Sequence, residues 1–198
     1  RYTSSPGDVD VRDVWLGRHL SLVTHDGPGG RTLFAASDTG AAPGDGTGRV
    51  RLFATSDVDG EPALEPVGSV EYPIPPRTAP TSLEFCTDFL KALSPGHVSF
   101  CGDMTGDGAD NLCVGQMSLD RGRFLSVYDW ADILAAPGGV VTFAEAAAQL
   151  DETGGGCPWA ARTLGGGHDL TGEGGVDLAF SSSRSVLFWE GPMPLRTD

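Results

Sequence analysis

The stretch Gly102-Asp103-Met104-Thr105-Gly106-Asp107-Gly108-Ala109-Asp110-Asn111-Leu112-Cys113-Val114 narrows what this chain can fold into more than any other part of it. Oxygen-bearing side chains fall at alternate positions, Asp103, Thr105 and Asp107, and then at Asn111, while glycines at 106 and 108 let the intervening chain turn sharply. A loop that curls in this way brings its oxygens towards one point, which is how a hard cation such as calcium is caged. The apolar run Leu112-Cys113-Val114 that follows reads as a buried strand. An EF-hand is excluded: the position that should carry its bidentate Glu is Val114, and the flanking sequence is strand-like where helix is required. The alternative to a metal loop is a plain turn held by its Asp side chains.

The pattern returns without a gap at His168-Asp169-Leu170-Thr171-Gly172-Glu173-Gly174-Gly175-Val176-Asp177-Leu178-Ala179-Phe180, where Asp169 matches Asp103, Thr171 matches Thr105, Glu173 matches Asp107 and Asp177 matches Asn111. A worn third copy runs from Thr24 to Ala36 and has lost most of the oxygen positions. Each copy follows a β-prone run: His19–Val23, His97–Cys101 and the weaker Ala161–Leu164. Each is followed, after polar residues, by another: Arg49–Ala54, Arg123–Tyr128 and Ser185–Trp189. Strand, loop, strand, turn, strand, met three times, is a repeat architecture, and antiparallel units of this size repeated radially are propeller blades. The expected fold is therefore all-β, a β-propeller segment of about three blades over residues 1–198, with repeats at approximately 17–72, 96–140 and 160–195 and short inserted helices. Because closed propellers have about 4–8 blades, further blades or a second chain are expected to complete the ring and cover its strand edges.

The segment Asp103-x-Thr105-Gly-Asp107-Gly-x-Asp110-Asn111-Leu112-x-Val114-Gly115 resembles the FG-GAP (VCBS-like) repeat of integrin α-subunit β-propellers and of many bacterial surface proteins, whose pattern is D-x-N-G-D-G-x-x-D-L. In that family calcium binds in the turn between the first two strands of a blade. Carried over by position, the resemblance implies ligands from Asp103, Thr105, Asp107, the Ala109 carbonyl and Asn111, and in the second loop from Asp169, Thr171, Glu173, the Gly175 carbonyl and Asp177. Thr replaces Asn or Asp at the third position of both loops, Asn111 replaces a terminal Asp, and Glu173 replaces an Asp. The likeness is specific to motifs only around 102–115 and 168–180.

Composition narrows the function classes. With 27 acidic and 13 basic residues the chain carries a formal charge of −14, which repels phosphate backbones and argues against nucleic-acid binding. No apolar run approaches the ~20 residues of a membrane span, so no membrane insertion is expected. Gly 29 and Pro 14 suit many tight turns and not a helical bundle. The chain opens at Arg1 without a methionine or a signal-peptide-like stretch, as expected of a processed or excised segment.

Cys86, Cys101, Cys113 and Cys157 fit no zinc or redox spacing. Three pairings are possible, and the expectation is Cys86–Cys101 with Cys113–Cys157 in an oxidising exterior; four free thiols in a reducing compartment are the alternative. Two helices are expected between repeats. One begins at the capping box Thr81–Glu84 and ends at Pro95-Gly96; the other begins at Thr142-Phe143-Ala144-Glu145 and continues through Leu150. Pro73–Pro80 reads as a stiff connector and Asp57–Gly60 as a hairpin turn.

Catalytic signals are sparse. No G-x-S-x-G elbow and no H-E-x-x-H occurs. His19 and His97 repeat with the strands, which gives them a structural cause, and His25 and His168 sit beside glycine-rich loops. The expected function is a calcium-stabilised, extracellular or cell-surface adhesion module that recognises a protein or glycan. The alternative is the propeller domain of a secreted hydrolase or lyase, with a carboxylate pair such as Asp103 and Asp107 as its candidate chemistry.

Overall fold

Apolar residues recurring along the β-prone runs make them strands, and antiparallel pairing sets consecutive strands side by side. The structure is a computed structural model that describes residues 16–27, 30–38, 47–58, 60–73, 95–118, 122–152, 164–181 and 186–193. These residues form three open, predominantly antiparallel sheets. The first contains β1 (Leu16–Gly27), β2 (Arg31–Asp38), β3 (Thr47–Val58) and β4 (Glu61–Pro73) in sequence order. The second contains β5 (Pro95–Phe100), β6 (Asn111–Ser118), β7 (Gly122–Asp129) and β9 (Ala148–Glu152), and the third β10 (Leu164–His168), β11 (Asp177–Ser181) and β12 (Val186–Trp189). One sheet thus falls on each sequence repeat. The worn first copy falls on the β1–β2 ladder, which shifts register between Val23 and Asp26 and runs to the Gly27–Arg31 pair. Asp57 does form a turn, its Oδ1 accepting the Gly60 N–H at 2.7 Å.

The middle sheet is packed on both faces, which is why β6 reads as an unbroken apolar run. The period-2 alternation sorts its side chains. Val98, Leu112, Val114 and Tyr128 face the first sheet and join Ala35, Val50, Leu52, Val70 and Tyr72 in one buried cluster. Cys101, Cys113, Leu125, Val127 and Ala148 face the third sheet and join Leu178 and Met193 in a second cluster. Each such fully buried aliphatic side chain stabilises by roughly 1.5–3 kcal/mol. The Tyr72 hydroxyl donates to the Tyr128 hydroxyl at 3.0 Å, and that hydroxyl donates to the Phe143 carbonyl at 3.3 Å, which satisfies two polar tips inside the first cluster.

Between β7 and β9 the chain leaves the second sheet. Helix α1 (Trp130–Ala135), whose N-terminus is capped by Asp129, leads through a 3₁₀ turn at Pro137–Gly139 to β8 (Val140–Thr142). β8 lies parallel to β4, from Ser69–Val140 to Glu71–Thr142, and becomes the fifth strand of the first sheet. The expected helix from Thr142 to Leu150 is corrected here. The capping box is real, with Glu145 accepting both the Thr142 N–H and hydroxyl, but it caps a single 3₁₀ turn at Phe143–Glu145. Ala146 turns to extended backbone at ψ 132, and Ala148–Glu152 then pairs with Arg123–Val127 of β7. Edge pairing on a waiting strand outweighs the intrinsic helix preference of a short alanine run. The helix expected at 81–93 and the connector beyond Pro73 lie outside the described residues.

The cysteine pairing is also corrected. Cys101 is bonded to Cys113, with Cα atoms 6.0 Å apart, which excludes both Cys86–Cys101 and Cys113–Cys157. Cys101 ends the β5 side of the ladder and its N–H donates to the Asn111 carbonyl, while Cys113 pairs with Ser99 two rungs away, so the antiparallel register itself brings the two side chains onto one face. Cys86 and Cys157 lie outside the described residues.

Candidate metal centre

The two motif loops occupy the same place in consecutive sheets: residues 101–110 link β5 to β6, and residues 169–176 link β10 to β11. They are wired alike. Asp103 Oδ1 accepts the N–H groups of Gly106 (2.7 Å) and Asp107 (3.0 Å), and Oδ2 that of Gly108 (2.8 Å). Asp169 accepts from Gly172, Glu173 and Gly174 in the same order at 2.5, 3.1 and 2.8 Å. Gly106, Gly108, Gly172 and Gly174 all have φ between 78° and 89°, the left-handed backbone that lets successive N–H groups converge on one carboxylate. At the far end of each loop, Asn111 Oδ1 accepts the Met104 N–H (2.7 Å), the Thr105 N–H (3.0 Å) and the Thr105 hydroxyl (3.3 Å). Asp177 Oδ2 accepts from Leu170 and from both donors of Thr171 at 2.7, 2.9 and 3.1 Å. The first and last polar residues of each motif therefore hold their own loop shut.

The loops differ in charge and cover. Asn111 is fully buried, and its Nδ2 finds no acceptor among the described residues. Asp177 has an oxygen there instead, and its carboxylate also accepts the Gly191 N–H. Burial pushes the Asp177 carboxyl up, but the donors of Thr171, Leu170 and Gly191 outweigh it and hold the group below the usual carboxylate range. Met104 is fully buried, whereas Leu170 at the matching position is 53% exposed. The first loop is covered by the third sheet and the segment after it. Met193 donates its N–H to the Met104 carbonyl at 2.6 Å, and Pro192 lies against Gly106. A Cβ on Gly102, where φ is +67°, would meet the Gly167 backbone and Val176 at 3.0 Å.

Sequence reading missed this cover, the disulfide that brackets the first loop, and Asp129. Asp129 stands opposite Asn111 in the β6–β7 ladder, and its carboxyl is pushed up by burial and by the charges of Asp132 and Asp107, against the lowering effect of the Ala131 N–H it caps. The alternation of acidic residues with glycine locates the loop, but nothing in that pattern announces which later segment will cross it.

Whether these residues suit a hard cation can be asked of their oxygens. A carboxylate offers about four acceptor sites; Asp103 uses three on backbone N–H groups and keeps one. Asp107 Oδ1 accepts the Ala109 N–H at 2.9 Å, and its side chain is exposed. With the Thr105 hydroxyl oxygen and the Ala109 carbonyl, the donors are all oxygen, the chemistry calcium prefers. Among the described residues no group of three His, Cys, Asp or Glu side chains stands together as a metal cage; the first loop itself carries the carboxylates of Asp103 and Asp107 at its motif positions. In the second loop Asp169, Thr171, Glu173, the Gly175 carbonyl and Asp177 provide the corresponding oxygens, with Asp177 engaged as Asn111 is.

The chain matches no protein-family model, and no curated protein is detectably similar to it. Among the described residues no helix is long and apolar enough to cross a membrane. The buried Cys101–Cys113 bond fits an oxidising compartment.

Proposed function

We propose that this chain is a calcium-stiffened β-propeller segment of the FG-GAP kind, serving outside the cell or on its surface as an adhesion module for a protein or glycan. The observation that carries this reading is the recurrence of one loop, hydrogen-bonded in the same way, between the first two strands of consecutive sheets. A cation at each loop would be held by Asp103, Thr105, Asp107 and the Ala109 carbonyl, and by Asp169, Thr171, Glu173 and the Gly175 carbonyl. Asn111 and Asp177 fix the loop shape from beneath, each through an oxygen already engaged by three donors. When bound, the ion neutralises carboxylate charge and stiffens the loop that presents the binding surface. Few carboxylates contribute, so affinity belongs at the weak end, about 10⁻⁴–10⁻³ M. Calorimetric titration with calcium chloride tests this. Heat of binding in the millimolar range, reduced by Asp107→Ala, is expected; no heat at millimolar calcium would remove the metal from the reading. An enzymatic role receives no comparable support, because three loop N–H groups already engage the Asp103 carboxylate, which suits it to shaping the loop more than to exchanging protons.

A further inference from the structure

The crossover that carries β8 to the first sheet also builds a groove. Leu52 opposes Gly68 while Phe53 opposes Pro66, so Val67 is an extra residue that bulges β4. The Pro137–Gly139 turn lies against that bulge: a Cβ on Gly139, where φ is +68°, would stand 2.8 Å from the Val67 carbonyl oxygen. Between this turn and strands β3 and β4 opens a space of about 310 Å³, at the lower end of small-molecule sites. Arg49 and Arg51 line it, set on one face of β3 by the two-residue period of the strand. In the ladder to β4, Arg49 opposes Glu71 and Arg51 opposes Ser69. Glu71 accepts from Arg49 Nε at 3.0 Å, and the side chains of this pair are 31% and 33% exposed. The sheet therefore positions Arg49 and leaves it within reach of solvent.

We propose that this groove binds a small monocarboxylate that also carries hydroxyls, an acidic sugar. Charge selects the anion. Two guanidinium groups and the Glu71 carboxylate leave a single positive charge at the groove, which matches a monoanion; a phosphate monoester, at about −2, would leave excess negative charge beside Glu71. The planar fork of a guanidinium matches the two oxygens of a carboxylate. In a chain of net −14, paired arginines in a recess are where an anion meets a favourable field. The rest of the lining selects what the carboxylate is attached to. The Ser69 hydroxyl and the backbone of Gly138 and Gly139 present hydrogen-bonding groups to sugar hydroxyls, and Pro66 and Val67 offer apolar surface to the C–H face of a ring. Both arginines make further contacts inside the chain, so the ligand joins an existing network and its affinity is modest. The assignment gives a ligand class to the binding role proposed above. It needs no cation, because the groove belongs to the first sheet and the two motif loops belong to the other two.

Titration of the isotope-labelled intact chain with sodium glucuronate in EDTA buffer, followed by amide chemical shifts, tests the assignment. The expected result is saturable shifts at residues 67–69 and 138–139, with a dissociation constant on the order of 1 mM. Arg51→Gln should weaken binding by about 10-fold or more, the loss that follows removal of a charge-assisted hydrogen bond. Because Arg51 also makes contacts within the chain, a second pair of variants carries the test at Gly138. A Cβ there would meet nothing within 4 Å, and its backbone, at φ +69°, is one that Asn and Asp tolerate. Gly138→Asp should bind about fivefold more weakly than Gly138→Asn, since the two differ only in charge. Glucose should give no saturable shift at these residues, and N-acetylglutamate amide, a carboxylate without the sugar, should bind more weakly than glucuronate. The site is overturned by the absence of saturable shifts with glucuronate at tens of millimolar, by equal binding of glucose or of N-acetylglutamate amide, or by equal affinities of the two Gly138 variants. Calcium heat and glucuronate shifts are separate readouts, so failure of the cation reading leaves this site standing and the reverse holds too.

Discussion

The two motif loops share a hydrogen-bond plan and differ in almost everything around it. In both, an initial Asp gathers successive backbone N–H groups and a final Asn or Asp gathers the N–H groups of the second and third residues together with the Thr hydroxyl. Yet the first loop is bracketed by a disulfide, roofed by Pro192 and Met193, and rooted by a buried Met104, while the second is met by Gly191 at its far end and leaves Leu170 in solvent. Loop conformation is thus set locally, by glycine placement and side chains that cap their own backbone. Loop stability is set by whatever sheet follows.

The largest asymmetry should appear on truncating the matched apolar residues. Met104→Ala is expected to cost about 3–4 kcal/mol of unfolding free energy, since it empties a fully buried site; Leu170→Ala should stay within about 0.5 kcal/mol when measured on dilute, monomeric protein. Equal costs in urea titrations would mean that the second loop is covered too. Next, replacing Cys101 and Cys113 together by Ala should destabilise by about 3 kcal/mol in the chain-entropy model, given a separation of 12 residues. Hydrogen exchange should then quicken in residues 102–111 and not in 169–176, and uniform quickening would break the claim that the bond acts on one loop. Asp103→Ala and Asp169→Ala should each cost about 1–2 kcal/mol, because either leaves backbone donors without their acceptor. Here similarity is the expectation, and a large difference would show that cover and not capping holds the first loop.

The smallest effect concerns pH in calcium-free buffer. The folded-state Asp177 carboxyl lies below its usual value of 3.8, so the stability it contributes is present above that value and is lost as pH falls through the lower, folded-state value. Acid should therefore loosen the second loop below about pH 4, whereas Asn111 gives its counterpart no such titration. Amide exchange in residues 169–176 should quicken on acidification beyond its intrinsic pH trend, and Asp177→Asn should abolish that excess.

Much of this was legible in the residues. Glycines alternating with Asp, Thr and Asn announced two related loops, and the apolar runs after them announced β6 and β11. The hairpins follow from local spacing in the same way. What could not be read arises from contacts distant in sequence. Cys101 pairs with Cys113 because the ladder between β5 and β6 fixes their register, and no spacing rule encodes that rung. Gly165-Gly166-Gly167 looks like a break after a strand expected at 161–164, yet β10 runs through it. A Cβ at Gly166 would press on Leu178 and Cys101, at 3.0 and 3.1 Å, so glycine there lets the third sheet approach the disulfide closely. The alanine run after Thr142 carries a helix signal that is overruled because the free edge of β7 is next to it.

The short strand Val140–Thr142 has a consequence for how such a chain could have arisen and how it can be rearranged. By crossing from the second sheet to β4 before the chain returns to complete the second sheet with β9, it makes the first sheet depend on the second unit for its fifth strand. A sequence duplicated as self-sufficient modules could be cut and reshuffled at any boundary. Here an excision at the apparent joint between repeats would strip the first unit of its covering strand and leave Val141, almost wholly buried in place, with nothing beneath it. The first two units should therefore tolerate separation poorly, while the third shares no strand with its neighbour among the described residues and is held to it by side-chain packing and the Met193–Met104 backbone hydrogen bond.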